Sequence, residues 1–177
     1  MKNLQEQKLL KQAIKGDAQA FSTLLEEYYM MIYSTAFKWT GNPEDSEDIA
    51  QEVCVKVGGA IRKFRMESKF STWLYRIVIN TAKDFQRKKR NHSDIDDVPE
   101  IAMADHHSAE THVENAELWQ SVQKLPEKQR EAILLVYAEG LTHGEVASIM
   151  ACKESTVSWY IHEAKKQLKI LIDENGR

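Results

Sequence analysis

Cysteine is nearly absent from this chain. The two in its 177 residues, Cys54 and Cys152, form no Cys-x-x-Cys pair and share no Cys/His spacing suited to zinc. That gives no support to a structural zinc site, and it suits a reducing compartment. Proline and glycine are scarce too, at three and seven residues. With so few breakers, and long stretches whose apolar residues recur every three or four positions, the chain reads as all-α. No apolar run approaches the roughly 20 residues of a membrane span. The opening MKNLQEQKLLKQ lacks the apolar centre of a secretory signal. Direct membrane insertion is therefore not expected. Nor is there a phosphate-cradling glycine loop, a nucleophile elbow or a metal-ligand cluster. No catalytic residue, metal, cofactor or small-molecule substrate is expected, and an enzyme is not the reading. What is present, 42% hydrophobic and 29% charged residues, suits one medium or two small packed domains.

Charge is distributed in blocks. Residues 1–55 carry a net −4, residues 56–90 a net +9, residues 91–117 a net −8 and residues 118–177 none, against −3 overall. Blocks of opposite sign address different partners. The basic block contains FRMESKFSTWLYRIVINTAKDFQRKKR, Phe64 to Arg90, which also holds Phe64, Phe70, Trp73, Tyr75 and Phe85. Cations interleaved with rings can hold a nucleic-acid backbone while stacking on exposed bases. At about 100° per residue, a helix from Phe70, with Ser71 as its N-cap, has two faces. Phe70, Leu74, Ile77, Val78, Thr81 and Phe85 read as core. Lys69, Trp73, Arg76, Asn80, Lys83 and Arg87 form a second stripe. An amphipathic helix with a merely solvated basic face has the same geometry. The near absence of acids favours nucleic acid, because ordinary solvated faces mix signs.

Upstream, a helix over 4–14 stops at Gly16. A second spans 17–39, with Phe21, Leu24, Leu25, Tyr28, Ile32, Ala36 and Phe37 at core spacing. Gly41-Asn42-Pro43 opens a third, Asn42 as N-cap and Pro43 at the first helical position. Its first turns hold Glu44, Asp45, Glu47 and Asp48, where the helix dipole favours acids. Ile49, Val53, Val57, Ala60 and Phe64 read as its core face. Asp45, Asp48, Gln51, Glu52 and Val55 lie opposite, either as solvated carboxylates or as an acidic docking surface with one apolar contact. Gly58-Gly59 costs about 1 kcal/mol per glycine relative to alanine, and the sequence supplies no reason for it.

Residues 91–117 hold no Lys or Arg, eight acids and four of the six histidines, and read as a linker. His106, His107 and His112 have no thiolate or fixed scaffold beside them, so no metal is expected there. From 118 the helical pattern resumes through Lys124, then over Pro126–Ala138 as far as Gly140. Thr142-x-x-Glu145 is a capping box opening a short helix through Met150. Ser155 or Thr156 caps a last helix to about Ile172, with Val157, Ile161, Ala164, Leu168 and Leu171 as its core stripe. Such a pair reads as helix-turn-helix, or else as a plain helical hairpin.

Four stretches carry a resemblance. They are Gly16-Asp17-x-x-Ala20-Phe21; Glu47-Asp48-Ile49-Ala50-Gln51-Glu52-Val53; Phe70-Ser71-Thr72-Trp73-Leu74-Tyr75-Arg76-Ile77 with Asn80; and Leu125-Pro126-Glu127-Lys128-Gln129-Arg130-Glu131-Ala132 followed by Gly140-Leu141-Thr142 and Glu145-Val146-Ala147. In that order they make the chain resemble a group IV, extracytoplasmic-function (ECF) sigma factor of bacterial RNA polymerase, of the sigma-70 family, over nearly its whole length.

The resemblance implies two small helical domains, region 2 over 1–90 and region 4 over 118–177, joined by the acidic linker 91–117. It implies a subunit that binds core polymerase, recognises promoters and melts DNA without chemistry of its own. Asp45, Asp48, Gln51, Glu52 and Val55 would dock on the β′ clamp helices, and the β flap is a further expected contact on the core enzyme. Phe64, Arg65, Lys69, Phe70, Ser71, Trp73, Arg76, Asn80, Lys83 and Arg87 would recognise and open the −10 region, capturing one unpaired base. The acidic linker would thread the polymerase cleft. Thr142, Ser155, Thr156, Ser158, Trp159, Tyr160, His162, Glu163, Lys165 and Lys166 would face the −35 element. Here the chain departs from its relatives, with Ser158, Tyr160 and Glu163 where Arg or Lys is usual and Ala151 where Gly is common. No Arg, the residue suited to guanine, lies in this helix, so an unusual −35 sequence or a weak −35 contact is expected. An anti-sigma factor is a further expected partner, and the cytoplasm, with tethering to the inner membrane by that partner, the expected location. A sigma-like protein that only sequesters an anti-sigma factor is the competing reading. An ordinary helix-turn-helix regulator would leave Phe64–Arg90 and the acidic helix without purpose.

Overall fold

The computed structural model describes residues 2–92 and 121–175. The chain divides into two compact units. The first holds α1 (Lys2–Ile14), most of α2 (Ala18–Thr40), α3 (Pro43–Ala60), a 3-10 turn (Ile61–Lys63) and α4 (Phe70–His92). Gly16, at φ +97°, ends α1 in a conformation that side-chain-bearing residues rarely adopt. Asp17 then caps α2, its Oδ1 accepting from the Ala20 N–H at 3.0 Å. Leu10, Leu24, Ile32, Ile49, Val53, Val57, Leu74, Val78 and Ile79 form the core, and the 3-10 turn packs against α1.

The spacing-derived faces hold with local exceptions. On α4, Phe70, Leu74, Val78 and Thr81 are buried, whereas Ile77 and Phe85 are only partly covered; Ile79 is fully buried in addition. Ser71 is not the N-cap. The Trp73 N–H donates to the Lys69 carbonyl at 3.2 Å, so the cap position is Lys69, two residues earlier, and Ser71 lies in the first turn. A Cβ on Gly58 would lie 3.5 Å from the Phe21 ring, an ordinary contact, and one on Gly59 would meet nothing within 4 Å. No close approach explains that pair. Helix α4 continues through His92, two residues into the segment read as linker. The rest of that segment, with His106, His107 and His112, lies outside the described residues, as do residues 118–120.

The second unit gathers Lys38–Pro43 and the helices after residue 120. Residues 121–123 are helical, followed by α5 (Glu127–Ile133), α6 (His143–Met150) and α7 (Glu154–Asn175). Helices α5 and α6 both pack on α7, burying Ala132, Val146, Ile149, Val157, Ile161 and Ala164. The pattern over Pro126–Ala138 is not one regular helix. After Ile133 it widens into a π turn, Leu134–Ala138, in which the Glu139 N–H reaches back five residues to the Leu134 carbonyl at 3.1 Å. The capping box forms as expected, Thr142 Oγ1 accepting from the Glu145 N–H and Glu145 Oε2 from the Thr142 N–H. Neither Ser155 nor Thr156 caps α7. The Thr156 and Val157 N–H groups donate to the Lys153 carbonyl, which puts both hydroxyl residues inside the first turn.

Ala151 ends α6 at φ 52°, ψ 48°, a left-handed position that glycine adopts without a Cβ clash. Ala151→Gly is therefore expected to stabilise the full chain by about 1 kcal/mol. Urea unfolding checks it, and an unchanged or lower midpoint would contradict the argument.

Candidate nucleic-acid interface

The loop from Phe64 to Lys69 joins the 3-10 turn to α4. Its start is fixed by the Phe64 N–H, which donates to the Ile61 carbonyl at 3.0 Å, and Met66 turns it at φ +57°. Phe64 and Phe70, at 6% and 2% exposure, are buried. They form the bed of an aromatic cluster. Phe64 and Phe70 meet edge-on at 5.5 Å, and the Trp73 indole lies tilted over both, 5.1 Å from Phe64 and 5.5 Å from Phe70. Tyr28 of α2 meets Phe70 edge-on at 5.1 Å with planes 79° apart. Phe64 and Phe70 thus present no free ring face for a base. Their part is to seat Trp73, which is half-buried.

Of the remaining stripe, Arg65, Lys69, Arg76, Asn80 and Arg87 are exposed and Ser71 is half-covered. Lys83 is the correction, at 7% exposure. It stands one turn beyond the fully buried Ile79, so it sits on the inward edge of the helix. Arg87 lies 3.8 Å from Asp84, an exposed pair of the kind that contributes little.

On α3 the five residues of the acidic face divide. Asp48 and Gln51 are exposed and Val55 is 76% exposed, all pointing outward. Asp45 and Glu52 are tied into the protein. Lys89 of α4 places its Nζ 2.7 and 2.9 Å from the two Asp45 carboxylate oxygens. Glu52 pairs with Lys56 at 2.8 Å, and Lys56 also donates to Thr81 Oγ1 on α4 at 3.1 Å. Glu47, which periodicity did not single out, accepts from the Tyr29 hydroxyl at 2.8 Å. That bond, with lesser help from burial, pushes the Tyr29 phenol up to about 12. Burial likewise raises the Cys54 thiol.

On the second unit, α7 turns Ser155, Ser158, Trp159, His162, Lys165 and Lys166 outward, while Thr156, Tyr160 and Glu163 are half-covered. Thr142 is exposed at the start of α6. Trp159 and Tyr160 lean together at 5.2 Å. Lys165 sits 4.8 Å over the Tyr137 ring. His143 Nδ1 and Ser158 Oγ are 3.0 Å apart, and Ser158 donates to the Glu154 carbonyl, so the two helices are latched at their N-terminal turns. His143 escaped sequence reading because its partner is on another helix. The outward face therefore offers hydroxyls, rings and an imidazole, with cations only from Lys165 onward. No helix among the described residues is long and apolar enough to cross a membrane.

Residues 24–92 match the family model for Sigma-70 region 2, and residues 115–168 that for Sigma-70, region 4. The chain is 34% identical to the ECF RNA polymerase sigma factor SigW of Bacillus subtilis, with 92% of this chain and 94% of the relative covered. It is 33% identical to the RNA polymerase sigma-H factor of Pseudomonas aeruginosa, over 93% of this chain and 92% of that one. To the ECF RNA polymerase sigma-E factor of Escherichia coli K12 it is 32% identical, over 93% of each. Two solved structures share the fold. The sigma factor RpoE of Bartonella quintana, in complex with the anti-sigma factor NepR, superposes with a TM-score of 0.74 at 24% identity, over 88% of this chain and 98% of that one. CnrH, in complex with the cytosolic domain of CnrY, gives 0.73 at 23% identity, over 96% and 98%.

Proposed function

The chain belongs to the ECF group of the sigma-70 family and is an RNA polymerase sigma factor; on that premise we propose how its surfaces divide the work of initiation. Residues 1–90 act as region 2, docking on core polymerase and opening the −10 element. Residues 118–177 act as region 4, and the acidic segment 91–117 links them. The observation that carries this reading is the seat of Trp73, an indole set over two buried phenylalanines with Arg76 and Asn80 exposed on the following turns. An unpaired base offers such a ring its π-face, and stacking is worth roughly 1–3 kcal/mol per base. That offsets the few kcal/mol needed to extrude the base. Arg65, Lys69 and Arg76 meet the phosphates beside it.

Asp48, Gln51 and Val55 form the centre of the polymerase-docking surface, with Asp45 and Glu52 at its edge. Region 4 contacts −35 DNA through Ser155, Ser158, Trp159, His162, Lys165 and Lys166, weakly for want of arginine. The protein acts by binding and strand separation, performs no catalysis, and works in the cytoplasm. An anti-sigma factor occludes its polymerase-binding surfaces, a reading supported by the anti-sigma factor NepR named as the partner of RpoE. Permanganate footprinting and run-off transcription with purified core polymerase test the proposal. Reactive thymines in the −10 region and a defined transcript are expected. Closed duplex alone, with an anti-sigma factor still captured, would favour sequestration instead.

A further inference from the structure

We infer that Tyr28, on α2, is a positioning residue for the Trp73 indole, fixed at its far end by Glu6 of α1. This rests on the reading of Trp73 as the ring that stacks on an unpaired base.

The geometry is a relay of contacts across three helices. Tyr28 donates its hydroxyl hydrogen to Glu6 Oε1 at 2.8 Å, across 22 residues of sequence. Its ring meets Phe70 edge-on at 5.1 Å, and Phe70 lies 5.5 Å from Trp73. An edge-to-face contact is directional, since the positive ring edge must aim at the negative face of its neighbour. A tyrosine free to turn about its side-chain bonds would not hold that aim. Anchoring the hydroxyl fixes the direction of the ring's long axis, and so its distance from Phe70, while contact with Phe70 itself holds the ring plane about that axis. Burial, with the Glu6 bond second, holds the phenol above the usual tyrosine range, so it stays a hydrogen donor at any working pH.

Helix α1 also reaches the cluster by a second route. It packs against the 3-10 turn, whose Ile61 carbonyl binds the Phe64 N–H, and Phe64 is the other ring beneath Trp73. The first helix, otherwise largely polar, thus braces both phenylalanines on which the indole rests.

The test uses full-length protein in holoenzyme and reads permanganate reactivity of −10 thymines beside core binding. Tyr28→Leu is expected to reduce opening about tenfold through loss of the ring contact. Tyr28→Phe, which keeps the ring, should reduce it about threefold. Core binding should be unchanged in both. Val53→Ala, a buried change on α3, serves as the stability control, compared at a temperature of equal unfolded fraction; its opening should match the parent. In protein labelled with 5-fluorotryptophan, the Trp73 fluorine resonance, identified by its loss in Trp73→Phe, should shift in both Tyr28 variants. Parental opening by Tyr28→Leu, an equal loss in Val53→Ala, or an unmoved Trp73 resonance would overturn the positioning role. If Trp73→Ala itself opens DNA normally, the stacking role falls and takes this one with it. If Trp73→Ala fails while Tyr28→Leu opens normally, only the positioning role falls.

Discussion

Trp73→Ala and Asn80→Ala are each expected to abolish promoter opening while leaving the affinity for core polymerase at the parental level. Losing a stack worth roughly 1–3 kcal/mol tilts a nearly balanced opening step against the melted state by about 5- to 150-fold. Asn80 is exposed, and its amide offers a donor and an acceptor to a base edge, so Asn80→Ala removes recognition with little change to the fold. Trp73→Ala is the larger change, because it also uncovers Phe64 and Phe70. The pair of variants therefore separates lost contact from disturbed packing. Permanganate reactivity of the −10 thymines reports opening, and co-purification with core reports docking. An equal loss of both activities would remove the assignment of this face.

Asp48→Lys should prevent co-purification with core polymerase. Asp48 is exposed on the outward side of α3, beside Gln51 and Val55. Reversing its sign changes the local charge by two, and like charges brought together at an interface cost several kcal/mol. The folded state should barely notice, since surface changes of this kind usually shift stability by about 0.5 kcal/mol or less. Asp45 is a poorer probe, because its bridge to Lys89 makes any change there also a change in how α3 meets α4. Unchanged co-purification of Asp48→Lys would remove the docking surface from this helix.

Much of the fold was legible because the helices are long and their apolar residues recur at 3.6-residue spacing. Val53, Val57, Leu74 and Val78 could be placed inside from that rhythm alone. Helix starts were less legible. The hydroxyls of Ser71, Ser155 and Thr156 have the look of caps, but both helices begin earlier, from carbonyls of Lys69 and Lys153 that carry no local signature. The candidate face was legible as a stripe, not as a surface. Angular counting put Lys83 among the exposed cations, yet that position follows Ile79 into the interior. It gave Phe64 and Phe70 an inward role while the family resemblance implied a DNA-facing one, and only tertiary packing could decide between them. The links Asp45–Lys89, Glu47–Tyr29 and His143–Ser158 join separate helices, and no local pattern announces such pairs. The likeness of four stretches to a known family carried the function itself.

Because the indole of Trp73 is wedged in place before any promoter arrives, its rotational freedom is surrendered once, at folding. A loose side chain would give up about 0.5–1.5 kcal/mol afresh at every encounter. A rigid receiving face cannot adapt to DNA that resists unstacking. If Trp73 receives a base as proposed, choice among promoters passes in part to the duplex, favouring flexible pyrimidine–purine steps such as TA that yield a base most readily.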